Sequence, residues 1–160
     1  MKVTILAIGR MKAGPEKELC EDYLTRARAM GRSCGITALD MRDFPESGLD
    51  ELDRGREAEA KALAAYLKPG CFQILLDETG RSLKSTDFAA LLRREIEGGA
   101  SEIAFLIGGP DGHAQSLRQS ASFTLSLGPM TWPHRLVRVM LAEQIYRSVT
   151  IMVNHPYHRP

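Results

Sequence analysis

Phe72-Gln73-Ile74-Leu75-Leu76-Asp77 is apolar almost throughout, the pattern of a central parallel strand covered on both faces. The segments around it alternate between helical and strand patterns. Upstream, Asp50 to Leu67 is charged on most faces, with Ala58, Ala62, Leu63 and Tyr66 as its apolar stripe, and Pro69-Gly70 closes it. Downstream, Ser85 or Thr86 is placed to cap a helix whose face is Phe88, Leu91, Leu92 and Ile96 and which ends at Gly98-Gly99. A further strand, Glu102 to Ile107, runs straight into Gly108-Gly109-Pro110-Asp111-Gly112. Towards the start, Val3 to Ile8 reads as a buried strand ended by Gly9. Leu19, Tyr23, Leu24 and Ala27 recur at helical spacing between Pro15 and Met30, and Gly31 supplies a stop. Ile36 to Met41 is a second strand, and the stretch holding Pro45 and Gly48 is a loop.

The last third repeats the scheme: a short helix over Ala114 to Ala121, a strand over Phe123 to Leu127, and a turn at Gly128-Pro129. Pro133 is suited to the first position of the final helix, where its missing N–H would have no partner anyway. That helix reaches about Val149. Its apolar residues (Leu136, Val137, Val139, Met140, Leu141, Ile145, Tyr146 and Val149) cover more than one face, so it lies under the sheet or at a subunit interface. Repeated βα units joined by short loops predict an α/β fold, a mostly parallel sheet with flanking helices, with ligands at the carboxyl ends of the strands. Three segments fall at such ends: Leu76-Asp77-Glu78, Ile107-Gly108-Gly109 and Leu127-Gly128-Pro129.

Composition bounds the reading. At 160 residues, 44% hydrophobic and 26% charged, the chain is expected to form a single domain over residues 1–160 without disulfides or metal. No apolar run reaches the roughly 18 residues of a membrane span. The opening MKVTILAIGR lacks the long apolar core of a signal peptide, so a cytoplasmic protein is expected. Cys20, Cys34 and Cys71 are odd in number and form no C-x-x-C pair, which fits small buried hydrophobes better than disulfides or a zinc site. With 21 Lys and Arg against 20 Asp and Glu, net charge is +1 and does not suit a protein that coats nucleic acid indiscriminately. The segment from His134 onward is locally basic, with four arginines against Glu143 alone.

The glycine-rich segment at 108–112 matches neither G-x-G-x-x-G nor a P-loop. Its glycines allow close approach of a ligand to backbone, or simply a tight strand-to-helix turn. In Leu127-Gly128-Pro129-Met130-Thr131-Trp132-Pro133 two prolines make a stiff loop. Its backbone groups suit a planar heterocycle; alternatively Met130 and Trp132 plug core space. The terminus, Asn154-His155-Pro156-Tyr157-His158-Arg159-Pro160, mixes groups that stack on a base and grip phosphate, against the default of a frayed end. No metal is expected there, since Pro156 breaks the helical spacing of His155 and His158 and no acid or cysteine accompanies them. There is no G-x-S-x-G, and His113 and His134 stand alone, each read as a surface or capping residue.

Taken in order, F-L-I-G-G-P-D-G, then S-F-T-L-S-L-G-P-M-T-W-P-H-R-L-V-R-V-M-L-A-E-Q-I-Y-R, then N-H-P-Y-H-R closely resemble the ribosomal RNA large-subunit methyltransferase H family of the SPOUT class. The likeness runs the whole length and is densest from Leu75 to Arg159. It implies a homodimer whose carboxyl-terminal segment forms a trefoil knot, an exception to unknotted topology. It also implies S-adenosyl-L-methionine as methyl donor, and methylation of N3 of a pseudouridine in 23S rRNA on the assembled ribosome, with no metal and no membrane. Leu76, Gly108, Leu127, Gly128, Pro129, Met130, Thr131 and Trp132 match the family's cofactor-binding positions. Glu143, Arg147, Tyr157, His158 and Arg159 match its active-site and tail positions. Within that resemblance His158 is a candidate base for the N3 proton, because imidazole titrates near neutral pH, while Tyr157 is suited to stacking on the base. A non-catalytic ribosome-binding protein of the same fold is the alternative, and a nucleotide-dependent oxidoreductase would need a phosphate fingerprint that is missing.

Overall fold

Side-chain alternation places each central strand. In β1 (Lys2–Ile8) Val3, Ile5 and Ala7 face one side and Leu6 and Ile8 the other; in β4 (Glu102–Ile107) Ile103, Phe105 and Ile107 oppose Ala104 and Leu106. Both sets are buried, as a strand covered on two faces requires. The computed structural model, which describes residues 1–158, adds β2 (Ala38–Phe44), β3 (Phe72–Ser82) and β5 (Phe123–Ser126). The order is β2-β1-β4-β3-β5, and every neighbouring pair is parallel. The expected parallel α/β architecture is therefore present.

Helices cover both faces. On one, α1 (Pro15–Gly31), α3 (Ser85–Glu97) and α5 (His134–Met152) bring Leu24, Phe88, Leu92, Leu141 and Ile145 into the larger core. On the other, α2 (Leu52–Ala64) and α4 (Gln115–Ser120) contribute Ala60, Leu63 and Leu117. The wide apolar arc of α5 is explained by its place between α1 and α3, with Leu141, Ile145 and Val149 fully buried.

Several details differ from the sequence expectation. β2 begins at Ala38 and runs to Phe44, because Arg42 and Asp43 stay in register with Leu6 and Ala7 at a sheet edge, where Asp43 is also held by Arg138 and the Met11 N–H. Neither Ser85 nor Thr86 caps α3: Lys84 holds the cap position, and the Ser85 hydroxyl donates to Gln144 Oε1 at 2.8 Å. Pro133 is the residue before the first helical position of α5, not within it. Cys20 and Cys71 are buried as expected and burial pushes their thiols up to about 11, whereas Cys34 is partly exposed.

β3 also outruns its expected end. Leu76 pairs with Leu125, the chain bulges out over residues 77–80, and Arg81 and Ser82 pair again with Leu125 and Ser126. Gly80 makes this possible: a Cβ there would lie 2.8 Å from backbone atoms of Thr124 and Leu125. Backbone cannot yield as a flexible side chain does, so Gly80→Ala is expected to lower stability by roughly 1–3 kcal/mol in urea denaturation. An unchanged midpoint would mean that the two strands part there freely.

Candidate functional site

Because β3 lies between β4 and β5, the three segments singled out in the sequence are neighbours at the carboxyl-end side of the parallel sheet. They enclose a cavity of about 380 Å³, bounded by Leu76 to Glu78 at the bulge of β3, Ile107 to His113 from the last residue of β4 onward, and the segment following β5. Of the expected cofactor positions, Leu76, Gly108, Leu127, Gly128, Met130, Thr131 and Trp132 line it; Pro129 does not.

Local chemistry shapes these walls. At the end of β4 the chain folds back so that Gly109 and Gly112 bridge, and the Gly112 N–H donates to Gly109 O at 3.0 Å. A Cβ on Gly108 would come within 3.1 Å of the Gly112 backbone, so glycine there keeps the turn closed. After β5, Gly128 adopts φ +113°, and the Ser126 hydroxyl both accepts from its N–H and donates to its carbonyl at 3.1 Å. Met130 is 65% exposed, so it plugs no core space. Trp132 keeps its indole Nε1 buried with no hydrogen-bond partner among the described residues.

Charged groups edge the cavity. Burial alone would raise the Asp77 carboxyl. Hydrogen bonds from the Thr79 N–H (3.0 Å) and hydroxyl (2.6 Å), with Arg118 at 2.7 Å, outweigh it and hold the carboxyl below its ordinary range. Arg56, on α2, donates to Asp111 O at 2.7 Å and ties that helix to the glycine-rich turn.

His113 overturns the sequence reading of a surface or capping residue. It is 6% exposed, lines the cavity, and places Nε2 3.1 Å from Leu76 O. A carbonyl only accepts, so Nε2 carries the proton and donates. Burial pushes the imidazole down to about 4, so it is neutral at physiological pH and clips the β4 turn to the end of β3. His134 also lines the cavity, from the first turn of α5. Its neighbours in sequence carried no signal of either position, since both arise from tertiary packing.

The tail forms a separate cluster. α5 ends at Met152, and two residues on, Asn154, the one non-glycine in the left-handed region among the described residues, turns the chain back along the helix. Tyr157 then packs against Tyr146 at 4.7 Å between ring centroids, and its hydroxyl donates to Glu143 Oε1 at 3.0 Å. Glu143 also accepts from Gln144 and from two nitrogens of Arg147, whose guanidinium lies 5.0 Å from the Tyr157 ring centre. Burial first, then the Glu143 acceptor, push the Tyr157 phenol up to about 12, so it stays protonated. His158 is partly buried, and its Nδ1 has no hydrogen-bond partner among the described residues. Arg159 lies outside the described residues. Glu143, Arg147, Tyr157 and His158 do not line the 380 Å³ cavity. Glu143 borders a second, apolar groove of about 500 Å³ between α1, α3 and α5, which shares Leu125, Leu127 and Gly128 with the cavity.

Comparison with known proteins places these features in a family. The model of a family described as "Predicted SPOUT methyltransferase" matches residues 1–158. Proteins named "Ribosomal RNA large subunit methyltransferase H" from Beijerinckia indica and Cereibacter sphaeroides are 45% and 46% identical to this chain over 159 residues, covering 99% of both chains in each case. Among solved structures, a probable methylase family protein of Haemophilus influenzae aligns with 99% of this chain and 70% of its own at 10% identity and a TM-score of 0.46.

The depressed imidazole makes stability depend on pH. His113 is neutral in the fold down to about pH 4, whereas unfolded histidine takes up a proton near 6.5. The unfolded chain therefore binds more protons between these values; the contribution is complete above pH 6.5 and is lost as pH falls towards 4. Between pH 7 and pH 5 the stability advantage of the wild type over His113→Gln is expected to shrink by about 2 kcal/mol in urea denaturation. A difference independent of pH would exclude this role.

Proposed function

The chain belongs to the SPOUT methyltransferase family, and on that premise we propose that it methylates N3 of a pseudouridine in large-subunit ribosomal RNA, in the assembled ribosome of the cytoplasm, with S-adenosylmethionine as donor. Membership makes it a methyltransferase of the S-adenosylmethionine-dependent class, and the name of its full-length relatives supports ribosomal RNA as substrate. The choice of nucleotide rests on the terminal N-H-P-Y-H-R run and the motifs that precede it. No helix among the described residues is long and apolar enough to cross a membrane. The single observation that carries the reading is the meeting of three strand ends around one cavity.

That cavity fits the donor. Its volume falls in the range of roughly 300–1,000 Å³ typical of small-molecule sites. The Gly108 turn offers backbone without an intervening Cβ, the Gly128 loop offers more, and no pyrophosphate fingerprint is needed. S-adenosylmethionine supplies an electrophilic methyl group on a sulfonium, for in-line transfer to a nucleophilic nitrogen. Leu76, Gly108, Leu127, Gly128, Met130, Thr131 and Trp132 would hold it. The tail would present the base: Glu143 and Arg147 fix Tyr157, which stays protonated and is suited to stacking, while His158 is the candidate acceptor for the N3 proton.

In one chain none of Glu143, Arg147, Tyr157 and His158 lines the cavity. A homodimer, in which the tail of one subunit completes the cavity of the other, resolves the separation. The apolar groove beside α5 and the exposed Leu19 and Leu136 support such an interface. The trefoil threading of the class belongs to the same reading.

Two experiments test it. Incubated with S-adenosylmethionine and ribosomes from cells lacking the gene, the protein is expected to add one methyl group to one pseudouridine, read by mass spectrometry of rRNA fragments. The rate should exceed that on naked rRNA by about tenfold or more, because ribosome shape supplies contacts that a small, nearly neutral protein lacks. A ribosome-binding protein without activity would leave the RNA unmodified. Separately, heterodimers of a chain ending at Asn154 with a Thr131→Arg chain should recover activity that neither homodimer has. No recovery in verified heterodimers would count against a shared site.

A further inference from the structure

Glu143 is held on both of its oxygens. Oε1 accepts from the Tyr157 hydroxyl at 3.0 Å and from two nitrogens of Arg147 at 2.9 and 2.6 Å, while Oε2 accepts from Gln144 Nε2 at 2.7 Å. The other end of the same amide, Gln144 Oε1, accepts from the Ser85 hydroxyl at 2.8 Å. A carboxylate only accepts, so the amide nitrogen must face Glu143 and the amide oxygen Ser85. The run from Ser85 through Gln144 and Glu143 to Tyr157 thereby joins the start of α3, two consecutive residues of α5 and the tail. Neither Ser85 nor Gln144 lines the 380 Å³ cavity, and both border the apolar groove.

Helix geometry does not supply the Gln144 contact. Consecutive side chains on an α-helix diverge by about 100°, and neighbours at i, i+1 do not face each other. Gln144 reaches Glu143 because Ser85, arriving from α3, turns its amide and holds it. The terminal torsion of a glutamate is broad, so a carboxylate gripped at one oxygen can swing. Gripped at both, it keeps Oε1 aimed at the Tyr157 hydroxyl. Gln144 is also neutral, so it adds a hydrogen bond without competing with Arg147 for the charge. We infer that Gln144, set by Ser85, is a positioning residue for methyl transfer: through Glu143 it fixes Tyr157, and so the direction in which the tail leaves α5. The inference rests on the reading in which that tail presents the base.

Methyl transfer to ribosomes from cells lacking the gene, with calorimetry on S-adenosylhomocysteine alongside, tests it in Gln144→Leu, Ser85→Ala and the double variant. Loss of a hydrogen bond to a charged group should lower kcat in Gln144→Leu by about 10- to 100-fold, while KM for the donor and affinity for S-adenosylhomocysteine stay within about twofold. Ser85→Ala should lose about 2- to 10-fold. The double variant should be no slower than Gln144→Leu, because Ser85 acts only through the amide. A readout without turnover is the ring of Tyr157, one of four tyrosines, in a 13C-tyrosine spectrum. Packed on Tyr146, it should move in Gln144→Leu and in Ser85→Ala, while Tyr66, packed on Phe44 in the core of the other face, stays. Unchanged kcat, equal losses in kcat and donor affinity, additive effects of the two substitutions, or a Tyr157 ring that does not move would overturn the inference. So would a loss that tracks weakened self-association in sedimentation. Full activity in Glu143→Ala, or none in wild type, would instead strike the functional reading beneath it.

Discussion

A buried guanidinium holds the architecture of the site in place. Arg138 of α5 donates to Asp43 at 2.8 Å and to the carbonyls of Ile8 and Gly9 at 2.8 and 2.6 Å, while the other Asp43 oxygen accepts from the Met11 N–H. The carboxyl ends of β1 and β2 are thus joined to the second turn of α5. The chain reaches α5 from β5, at the opposite edge of the sheet. Strands lie roughly 4.8 Å apart, so three spacings, about 14 Å, separate β5 from β1. The seven residues 127–133 can span that gap, at up to about 25 Å when extended, only by crossing above β3 and β4. Arg138 therefore makes this loop the roof of the cavity, although it does not itself line it.

Beneath that roof, selectivity depends on groups that do not move. The Asp77–Arg118 pair, the neutral His113 and the Ser126 hydroxyl each hold a backbone turn, and the turns present their N–H and carbonyl groups to the interior. A site made of fixed dipoles needs little reorganisation when a ligand arrives, which suits a reaction governed by alignment. A neutral imidazole contributes to this, since a charged one in the same place would go unpaired in a low-dielectric wall.

Period and punctuation made most of this fold legible. Apolar runs at Val3, Ile74 and Ile103, each followed by a glycine turn or a helical stripe, sufficed for a parallel sheet with the cavity at its carboxyl ends. What escaped had its cause in tertiary partners. Ser85 is a good cap by type, yet Gln144, distant in sequence, takes its hydroxyl. His113 follows Asp111 and Gly112, which look like surface residues, yet the β4 turn folds it against Leu76. β3 seemed complete at Asp77 because the bulge that follows is polar, and only the second pairing with β5 extends it to Ser82. The indole of Trp132 was legible as a ring but not as an unpaired donor, since that depends on what surrounds it.

The tail raises the remaining question, and bond saturation answers part of it. Glu143 accepts from Gln144, from two nitrogens of Arg147 and from Tyr157. A carboxylate so engaged is poorly placed to take a proton from substrate, and Tyr157, protonated up to about pH 12, is no better. What the two do in the structure is bind each other, which holds Tyr157 against α5. His158 differs, with a buried ring nitrogen that nothing among the described residues engages. Proton transfer needs a group that is positioned yet chemically free, and on the proposed reading His158 is that group among the described tail residues. Its separation from the cavity in one chain is then a condition on assembly. On the dimeric reading, donor pocket and base meet only where two subunits do, so an isolated subunit would carry both halves of the chemistry and be unable to join them.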